Sequence, residues 1–316
     1  MIIASCPLRI SLFGGSTDNP YFVKEYGYGS VISFTSDLKT YVTISQDKFG
    51  FNKDKHKYII NYSRREEVSS IEEIENEVVR VVLEYFEMPP VQVTLTSDAY
   101  SQGSGLASSS SYIISLIKAC CLFKNKKMTD SEICELAYEL ELKFNPYCGY
   151  QDPYGCGMGG FKRIEFFKDG SVKYEYLSKE VFELYDMHLV FTGVTRNSKK
   201  ILKELSCNIE KIKPLLNNLN NAYENIRERD YDRFLMELNR SWDQKKKTSS
   251  SIVENEKVFI IDNCLKQFKE IVAHKLCGAG NGGFFLVFSK KDKPLTIPFD
   301  KVKINVISTG VAGESI

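Results

Sequence analysis

The sequence has no excess of charge and no long apolar run, and each absence excludes a class of protein. Its 42 lysine and arginine residues are balanced by 41 aspartate and glutamate residues, which gives a net charge of +1. Without a strong net field the chain has no general attraction for nucleic acid or for an anionic membrane surface. No segment reaches the roughly 18 apolar residues of a membrane-spanning helix. The cytoplasm is therefore the expected location, and any anion must be bound locally.

A cysteine-rich metal site and a Walker A phosphate loop are also missing. The nine cysteines are scattered, and the nearest pair for metal binding, Cys148 and Cys156, is too widely spaced and has no histidine between its members. Scattered cysteines in apolar segments are typical of reduced, packed thiols. No glycine-rich segment is followed by the GKS or GKT of a Walker A loop.

The length and the order of the predicted elements indicate an α+β protein of two domains. At 316 residues the chain exceeds the size, about 250 to 300 residues, at which single cores stop growing. The character of the sequence changes after Asp169 and Gly170, where a strand leads into long polar helices. We expect a boundary near residue 180, with domains at 1–180 and 181–316 that meet at a cleft.

Four long helices are predicted from the spacing of apolar residues and from start and stop signals. They cover 70–87, 130–144 and, roughly, 198–228 and 230–246. The start of the second is the best marked, because Thr129 and Glu132 have the spacing of a capping box.

The most informative junction is the segment QGSGLASSSS, which runs directly into an apolar helical stretch. Gly103 and Gly105 let the backbone approach a ligand. The free N–H groups and the positive dipole end of the following helix favour an anion such as phosphate. The alternative is a flexible serine-rich turn in which Ser108 caps the helix. Spacing alone does not decide between the two.

Two acidic residues are candidates for a shared site. Asp152 lies in GYQDPYG, where glycine and aromatic residues predict a rigid loop close to a cleft. Glu141 falls on the flank of the apolar stripe of the helix over 130–144, so its carboxylate is expected to turn partly inward. Mg²⁺ is a suitable partner because it prefers hard oxygen ligands. A turn-forming aspartate and a salt bridge at the helix end are the alternatives.

Two other glycine-containing segments complete the set. In HKLCGAGNGGFFLVFS, glycines precede a strand rather than a helix, which excludes a dinucleotide-binding fingerprint and indicates close passage of the backbone by a ligand or a neighbouring loop. In PLRISLFGGSTDNP, Arg9 projects from a predicted strand and Asp18 lies in a turn beyond two glycines. Taken alone, Arg9 would be a surface charge and Asp18 a turn residue.

Together and in this order, the four segments resemble the GHMP kinases, the superfamily of galactokinase, homoserine kinase, mevalonate kinase and phosphomevalonate kinase. QGSGLASSS is similar to that family's phosphate loop, PxxxGLGSSA, with Ala107 where glycine is usual. LCGAGNGGFF is similar to its third motif, with Asn281 replacing a glycine, and PLRISLFGGSTDN to the N-terminal motif of its sugar kinases. The resemblance spans nearly the whole chain. It implies an N-terminal domain like ribosomal protein S5 domain 2 and a ferredoxin-like C-terminal domain.

Within that family, FTGVTRNSKKIL and SWDQKKKTSSSI are similar to segments of the D-glycero-D-manno-heptose 7-phosphate kinases. The resemblance implies transfer of the γ-phosphoryl group of ATP to a sugar hydroxyl, and the expected acceptor is the anomeric (C1) hydroxyl of that heptose phosphate. A sugar 1-kinase for an unphosphorylated hexose or uronic acid is an alternative, and so is a nucleotide-binding sensor without catalysis. A decarboxylase of the mevalonate branch is compatible with the fold, but the sugar-kinase motif argues against it.

The resemblance also implies roles for single residues. Asp152 would accept the proton of the attacking hydroxyl with Arg9 beside it, and Ser109 and Glu141 would ligate Mg²⁺. The residues expected to hold ATP are Gly103, Ser104, Gly105, Leu106, Ala107, Ser108, Ser109 and Ser110. The residues expected to contact the substrate are Asp18, Gly15, Ser16, Arg196 and Gly280.

The expected partner is a small-molecule sugar or sugar phosphate, with a homodimer as the expected assembly. Arg196 and the basic run from Lys245 to Lys247 are the candidates to bind a phosphate that the substrate already carries.

Overall fold

The computed structural model of the chain describes residues 1–46, 57–99, 103–195, 198–206, 208–291 and 293–316. The strands in these ranges are β1 Ile2–Phe13, β2 Tyr28–Ser45, β3 Tyr58–Asn61, β4 Arg65–Val68, β5 Gln92–Ser97, β6 Phe161–Phe167, β7 Val172–Tyr176, β8 Tyr185–Phe191, β9 Ile271–Leu276, β10 Phe284–Lys290, β11 Lys301–Ile304 and β12 Ala312–Ser315. The α-helices are α1 Pro20–Tyr26, α2 Glu77–Tyr85, α3 Ser108–Phe123, α4 Asp130–Leu142, α5 Gln151–Gly157, α6 Val181–Leu184, α7 Ser198–Ser206, α8 Lys213–Arg227, α9 Tyr231–Lys246 and α10 Glu256–Leu265. Short 3₁₀ helices lie at Ile71–Glu73, Ile209–Lys211 and Ser250–Val253.

The strands form two sheets, of eight and four strands. The larger sheet has the order β12-β1-β2-β5-β3-β4 and is extended by β6 and β7 along the first half of β2. The smaller has the order β11-β8-β10-β9 and is antiparallel throughout. The last strand, β12, pairs with β1 of the larger sheet, so the first and last strands of the chain are neighbours. These two sheets with their helices confirm the predicted α+β class, whereas the boundary at residue 180 stays a prediction.

Helix α3 is the central element behind the larger sheet, packed between β1, β2 and α4. Its inner side carries serines as well as apolar residues, and the serines bond within the core. Ser111 Oγ donates to the Cys6 carbonyl at 2.9 Å and lies 2.7 Å from Thr40 Oγ1, which also meets Ser115 Oγ at 3.2 Å. A buried hydroxyl needs such partners, since leaving it unpaired is costly.

A second apolar cluster joins the two sheets. It unites Phe13 and Phe34 of the larger sheet with Phe234 of α9 and Phe288 of β10, all fully buried. The end of β1 is therefore held from both sides, which makes it a rigid support for side chains that face the space between the sheets. Among the described residues, no helix combines the length and apolarity that crossing a membrane would need.

The helix predicted over 70–87 is wrong in extent, because a 3₁₀ turn is followed by a break and then by α2. The Glu66 carboxylate accepts the N–H groups of Glu75 at 2.7 Å and Asn76 at 3.2 Å, which draws them out of a helix. The Asn76 side chain then caps α2 by accepting the Val79 N–H at 3.1 Å. A carboxylate that lies outside the predicted helix thus overrode the local pattern.

The helix predicted over 198–228 is also divided, into α7, a 3₁₀ turn and α8. Pro214 occupies the first turn of α8, where its missing N–H costs nothing and where a preceding helix cannot continue.

Asp152, predicted on a loop, lies in the first turn of the short helix α5. The capping box of α4 is confirmed: Thr129 N–H donates to Glu132 at 2.6 Å, and Glu132 N–H donates to Thr129 Oγ1 at 3.3 Å.

Candidate active site

A cleft of about 790 Å³ lies between the two sheets and contains residues from all four sequence segments. The end of β1 and the loop after it form one wall, and the glycine and serine turn before α3 forms another. The stretch from the end of α4 to the start of α5 closes a third side, while the glycine-rich turn after β9 faces it. Segments that are far apart in sequence therefore meet in one place.

Arg9 and Asp152 form the central pair of the cleft. Both Arg9 Nε, at 2.9 Å, and Arg9 Nη2, at 2.6 Å, donate to Asp152 Oδ1, while Arg9 Nη1 donates to the Gly105 carbonyl at 2.8 Å. The arginine side chain is 5% exposed and the aspartate 31%. Since both bonds fall on Oδ1, Oδ2 is the oxygen that can accept a proton from a ligand in the cleft.

The local sequence explains why Arg9 points into the cleft. Pro7 has no N–H to donate to the β-ladder, and the pairing of β1 with β2 shifts register between Pro7 and Arg9. Such irregularities re-aim side chains and are common beside functional sites. Opposite, α5 approaches closely because Gly155 lacks a side chain: a β-carbon there would lie 3.1 Å from Arg9 Cγ.

The helix that carries Asp152 is fixed from beneath by Lys162, a residue that no sequence motif marked. The Lys162 side chain is buried, and its Nζ donates to the carbonyls of Gly155 at 3.0 Å and Gly159 at 2.7 Å, at and just beyond the end of α5. Burial lowers the pKa of Lys162 to about 8. A cation at the C-terminal end of a helix is electrostatically favoured.

Glu141 is buried in the last turn of α4 and accepts a hydrogen bond from Ser110 Oγ and another from Asn145. Burial, followed by the nearby charge of Asp152, raises the pKa of Glu141 to about 7. Its carboxylate is therefore turned inward, and it is not the exposed salt-bridge partner of the alternative interpretation. Of the two serines beside it, Ser110 bonds it and Ser109 is exposed to the cleft.

The turn before α3 has the geometry of an anion site. Its N-cap residue is Ala107, whose side chain makes no capping bond, so the alternative in which Ser108 caps the helix is wrong. The first N–H groups of α3 face the cleft without a side-chain cap, an arrangement that favours phosphate. Ala107 has φ 62° and Asn281 has φ 59°, so both departures from the glycine pattern of the GHMP motifs occupy left-handed backbone, which asparagine tolerates better than alanine.

Asp18 is buried beside the central pair and is held by Gln151, which sequence reasoning missed although it precedes Asp152. Gln151 Nε2 donates to Asp18 Oδ1 at 2.9 Å, and Gln151 N–H donates to Oδ2 at 3.1 Å. The Ser16 N–H adds a third bond to Oδ1 at 3.0 Å. Burial, followed by the charge of Asp152, raises the pKa of Asp18 to about 6. Gly15 and Ser16 also line the cleft.

The glycine-rich turn after β9 packs mainly against other parts of the chain, including the turn before α3. A β-carbon at Gly283 would lie 2.8 Å from the Ser104 carbonyl carbon, so the two backbones touch. Gly280, an expected substrate contact, packs against Ile252, where a β-carbon would lie 2.9 Å from its Cα. Gly278 and Ala279 are the members of this turn that line the cleft.

The basic residues predicted to bind a substrate phosphate divide into three groups. Arg196 lies outside the described residues. Lys246 pairs with Asp262 at 3.0 Å, and Lys247 is exposed and absent from the lining of the cleft. Lys245 alone of the run is buried and lines the cleft, together with Lys275, which sequence reasoning missed.

The raised pKa values predict how the stability of the ligand-free protein depends on pH. Glu141 ordinarily titrates at 4.5 and in the folded protein at about 7. Between these values the folded state binds more protons than the unfolded state. The contribution of Glu141 to the free energy of unfolding is therefore present at low pH and is lost as the pH rises towards 7. In wild type, the free energy of unfolding should therefore fall by an amount on the order of 1 to 3 kcal/mol between about pH 5 and 7.5 because of Glu141. We expect this pH-dependent contribution to be absent in Glu141→Gln.

Urea unfolding of both proteins across this range measures the effect. Glu139→Gln is the matched control, because Glu139 is exposed on the same helix. Identical pH profiles for wild type and Glu141→Gln would contradict the inferred environment of Glu141.

Comparison with known proteins finds similar kinases. The GHMP kinases N terminal domain matches residues 73–160. The D-glycero-alpha-D-manno-heptose 7-phosphate kinase of Campylobacter jejuni is 27% identical over 305 residues, which cover 89% of this chain and 87% of that protein. The D-glycero-D-manno-heptose 1-phosphate kinase of Bacteroides thetaiotaomicron superposes with a TM-score of 0.71 at 22% identity, over 100% of this chain and 99% of that one. The galactokinase of Lactococcus lactis superposes with a TM-score of 0.72 at 15% identity, over 98% and 95%.

The matched domain and the kinase relative identify the chain as a phosphotransferase that has an alcohol group as acceptor. More narrowly, the recognition of a GHMP kinase, made from the four motifs, is confirmed by the matched domain and by relatives that cover nearly the whole chain. Use of ATP follows from this family.

Proposed function

We propose that this protein transfers the γ-phosphoryl group of ATP to the anomeric hydroxyl of D-glycero-D-manno-heptose 7-phosphate and so forms the 1,7-bisphosphate. The observation that carries the proposal is the Arg9 and Asp152 pair, placed between the phosphate turn and Asp18. The relative from Campylobacter jejuni is named for the heptose 7-phosphate, and the protein from Bacteroides thetaiotaomicron for the heptose 1-phosphate. We favour the former because it matches this chain at higher identity.

In the proposed reaction, Asp152 acts as the general base. Its Oδ2 accepts the proton of the sugar hydroxyl as the hydroxyl oxygen bonds to the γ-phosphorus, and the bond from that phosphorus to the β,γ-bridging oxygen breaks to release ADP. Arg9 keeps Oδ1 in place and offsets charge that builds up on the transferred group. Asp18, oriented by Gln151, accepts hydrogen bonds from other sugar hydroxyls and so selects the attacking oxygen. Phosphoryl transfer depends mainly on such positioning and charge neutralisation.

The nucleotide side of the cleft is the turn from Gly103 to Ser110. Its backbone and the start of α3 would hold the β- and γ-phosphates. The side chains of Asn76 and Arg80, from α2 and its cap, extend the same wall and were not singled out from the sequence. The nucleoside part of ATP would bind along this part of the wall.

Magnesium fits the oxygen atoms beside the phosphate turn. Glu141 and Ser109 would hold it, and Asn145 Oδ1 is a buried oxygen without a hydrogen-bond partner on the same wall. Throughout the described ranges no three His, Cys, Asp or Glu residues are grouped to hold a metal. Phosphate oxygens would therefore complete the coordination shell. When bound, Mg²⁺ neutralises charge on the phosphates.

The test of the proposal is an ATP-consumption assay with a panel of sugars, with the product identified by ³¹P NMR. D-glycero-D-manno-heptose 7-phosphate should be turned over and give an anomeric phosphate signal. Turnover of an unphosphorylated hexose or uronic acid in its place would favour the sugar 1-kinase alternative. Failure to turn over any sugar, despite ATP binding, would favour the sensor without catalysis.

Gly149 provides a separate test of the role of Asp18. A β-carbon there would lie 2.7 Å from Asp18 Cγ and closer still to Oδ2, so Gly149→Ala must displace the carboxylate. We expect kcat/KM for the sugar to fall about 10- to 100-fold, because a displacement of about 1 Å at a reacting site costs up to about 10² in rate. The KM for ATP should stay the same.

A double-mutant cycle with Asp18→Ala gives the control. Because the alanine at position 18 no longer fills that space, adding Gly149→Ala to Asp18→Ala should cost little more. If the losses of Gly149→Ala and Asp18→Ala added in full in the double variant, the effect of Gly149→Ala would not come from displacing Asp18.

A further inference from the structure

Two buried lysines line the cleft in addition to the residues already described. Lys245, from α9, and Lys275, from β9, are 7% and 5% exposed and both line the cleft. Lys245 Nζ donates to the Gly278 carbonyl at 2.6 Å, and Lys275 Nζ donates to the carbonyls of Ser11 at 2.9 Å and Leu12 at 2.7 Å. Burial, with a further contribution from Arg9, lowers the pKa of Lys275 to about 8. The two carbonyl oxygens orient the ammonium group of Lys275, and a bound anion would compensate its charge.

A buried hydroxyl without a hydrogen-bond partner lies close to these lysines. Ser11 is 6% exposed and lines the cleft, and its buried Oγ has no hydrogen-bond partner. A β-carbon at Gly15 would lie 3.7 Å from Ser11 Oγ and 3.7 Å from Lys245 Nζ. The hydroxyl and the ammonium group therefore converge on the same small space above Gly15. An unsatisfied buried hydroxyl in a native structure calls for a ligand or another explanation.

This space belongs to the sugar side of the cleft. Gly15 immediately precedes Ser16, whose N–H binds the Asp18 carboxylate. The proposed binding site for the phosphates of ATP is a different element, the turn that begins at Gly103. An anion above Gly15 would therefore be carried by the acceptor substrate, beyond the hydroxyls that Asp18 binds.

We propose that Lys245, Ser11 and Lys275 form a second anion subsite that binds the phosphate group already present on the acceptor sugar. The ammonium groups supply charge and the serine hydroxyl supplies a neutral donor, a combination suited to a phosphate dianion. This inference rests on the proposed function and makes it more specific: the subsite would distinguish a sugar phosphate from the free sugar. Lys246 takes no part, since Asp243 and Asp262 bind its Nζ at 2.8 and 3.0 Å.

Kinetics with one heptose, with and without its 7-phosphate, test the subsite in Lys245→Met. We expect the KM for the phosphorylated sugar to rise about 10- to 100-fold, the loss typical of a hydrogen bond to a charged group. The KM for ATP and the kcat/KM for the unphosphorylated sugar should change by less than about threefold.

Ser11→Ala should raise the KM for the phosphorylated sugar about three- to tenfold, and this smaller change leaves the fold intact. Lys247→Met, which removes an exposed charge two residues away, is the matched control and should behave as wild type.

Equal losses of Lys245→Met on both sugars, or a parallel rise in the KM for ATP, would overturn the subsite. Binding measured by calorimetry without ATP separates this outcome from failure of the proposed function. If wild type turns over only free sugars, the proposed function is wrong, yet inorganic phosphate should still bind wild type and lose affinity in Lys245→Met. Equal phosphate affinity in the two proteins would refute the subsite whatever the substrate is.

Discussion

Asp152→Asn is expected to lower kcat by about 10² to 10⁴ fold, the usual contribution of a general base. Asparagine has nearly the same shape, and its Oδ1 still accepts the two hydrogen bonds that Arg9 donates to this position at 2.9 and 2.6 Å. The arrangement of the cleft should therefore survive, while the group that takes up the proton is lost. Single-turnover measurement of phosphoryl transfer isolates this step from product release.

Two controls make the result interpretable. ATP affinity, measured by titration, should be unchanged because we propose that the nucleotide phosphates bind at the turn from Gly103 to Ser110, away from the Asp152 carboxylate. Asp169→Asn alters an aspartate in the exposed turn between β6 and β7 and should retain wild-type turnover. If Asp152→Asn turned over at a rate near that of wild type, another group would have to be the base.

Gly283→Ala is expected to lower kcat/KM for ATP by about 10² fold, because it pushes two backbones apart. Gly283 has φ +92°, and an added β-carbon would lie 2.8 Å from the Ser104 carbonyl carbon. The Gly283 backbone is fixed on both sides: Gly283 N–H donates to the Val194 carbonyl and Gly283 C=O accepts from Thr192 N–H, both at 2.9 Å. The displacement therefore falls on the phosphate turn.

Gly170→Ala separates this steric effect from backbone strain. Gly170 has φ +83°, and a β-carbon there would meet no atom within 4 Å, so alanine carries a similar conformational cost, about 1 to 3 kcal/mol, without a clash. Both variants should lose stability on unfolding in urea, but only Gly283→Ala should lose activity towards ATP. Comparable activity in the two variants would show that contact between the turns is not required.

Much of the site was accessible from the sequence because it consists of short motifs. The glycines of QGSGLASSSS and LCGAGNGGFF mark places where backbone passes close to backbone or ligand, and the order of the four motifs indicated the family and the α+β fold. The capping box at Thr129 and Glu132 was readable for the same reason, since all its atoms lie within one turn of chain. Local hydrogen bonding and backbone conformation leave a local signal.

Other features depend on contacts between distant parts of the chain and were decided by the tertiary structure alone. The break before α2 comes from Glu66, and only packing shows which of Lys245, Lys246 and Lys247 is buried in the cleft. Lys275 had no motif to mark it. What the sequence determined by itself was the chemistry available, namely an aspartate, an arginine, a glutamate and a phosphate turn. Which side chains share the desolvated cleft, and with what charge, was decided by the tertiary structure, because burial and electrostatic neighbours arise only when the two sheets close on each other.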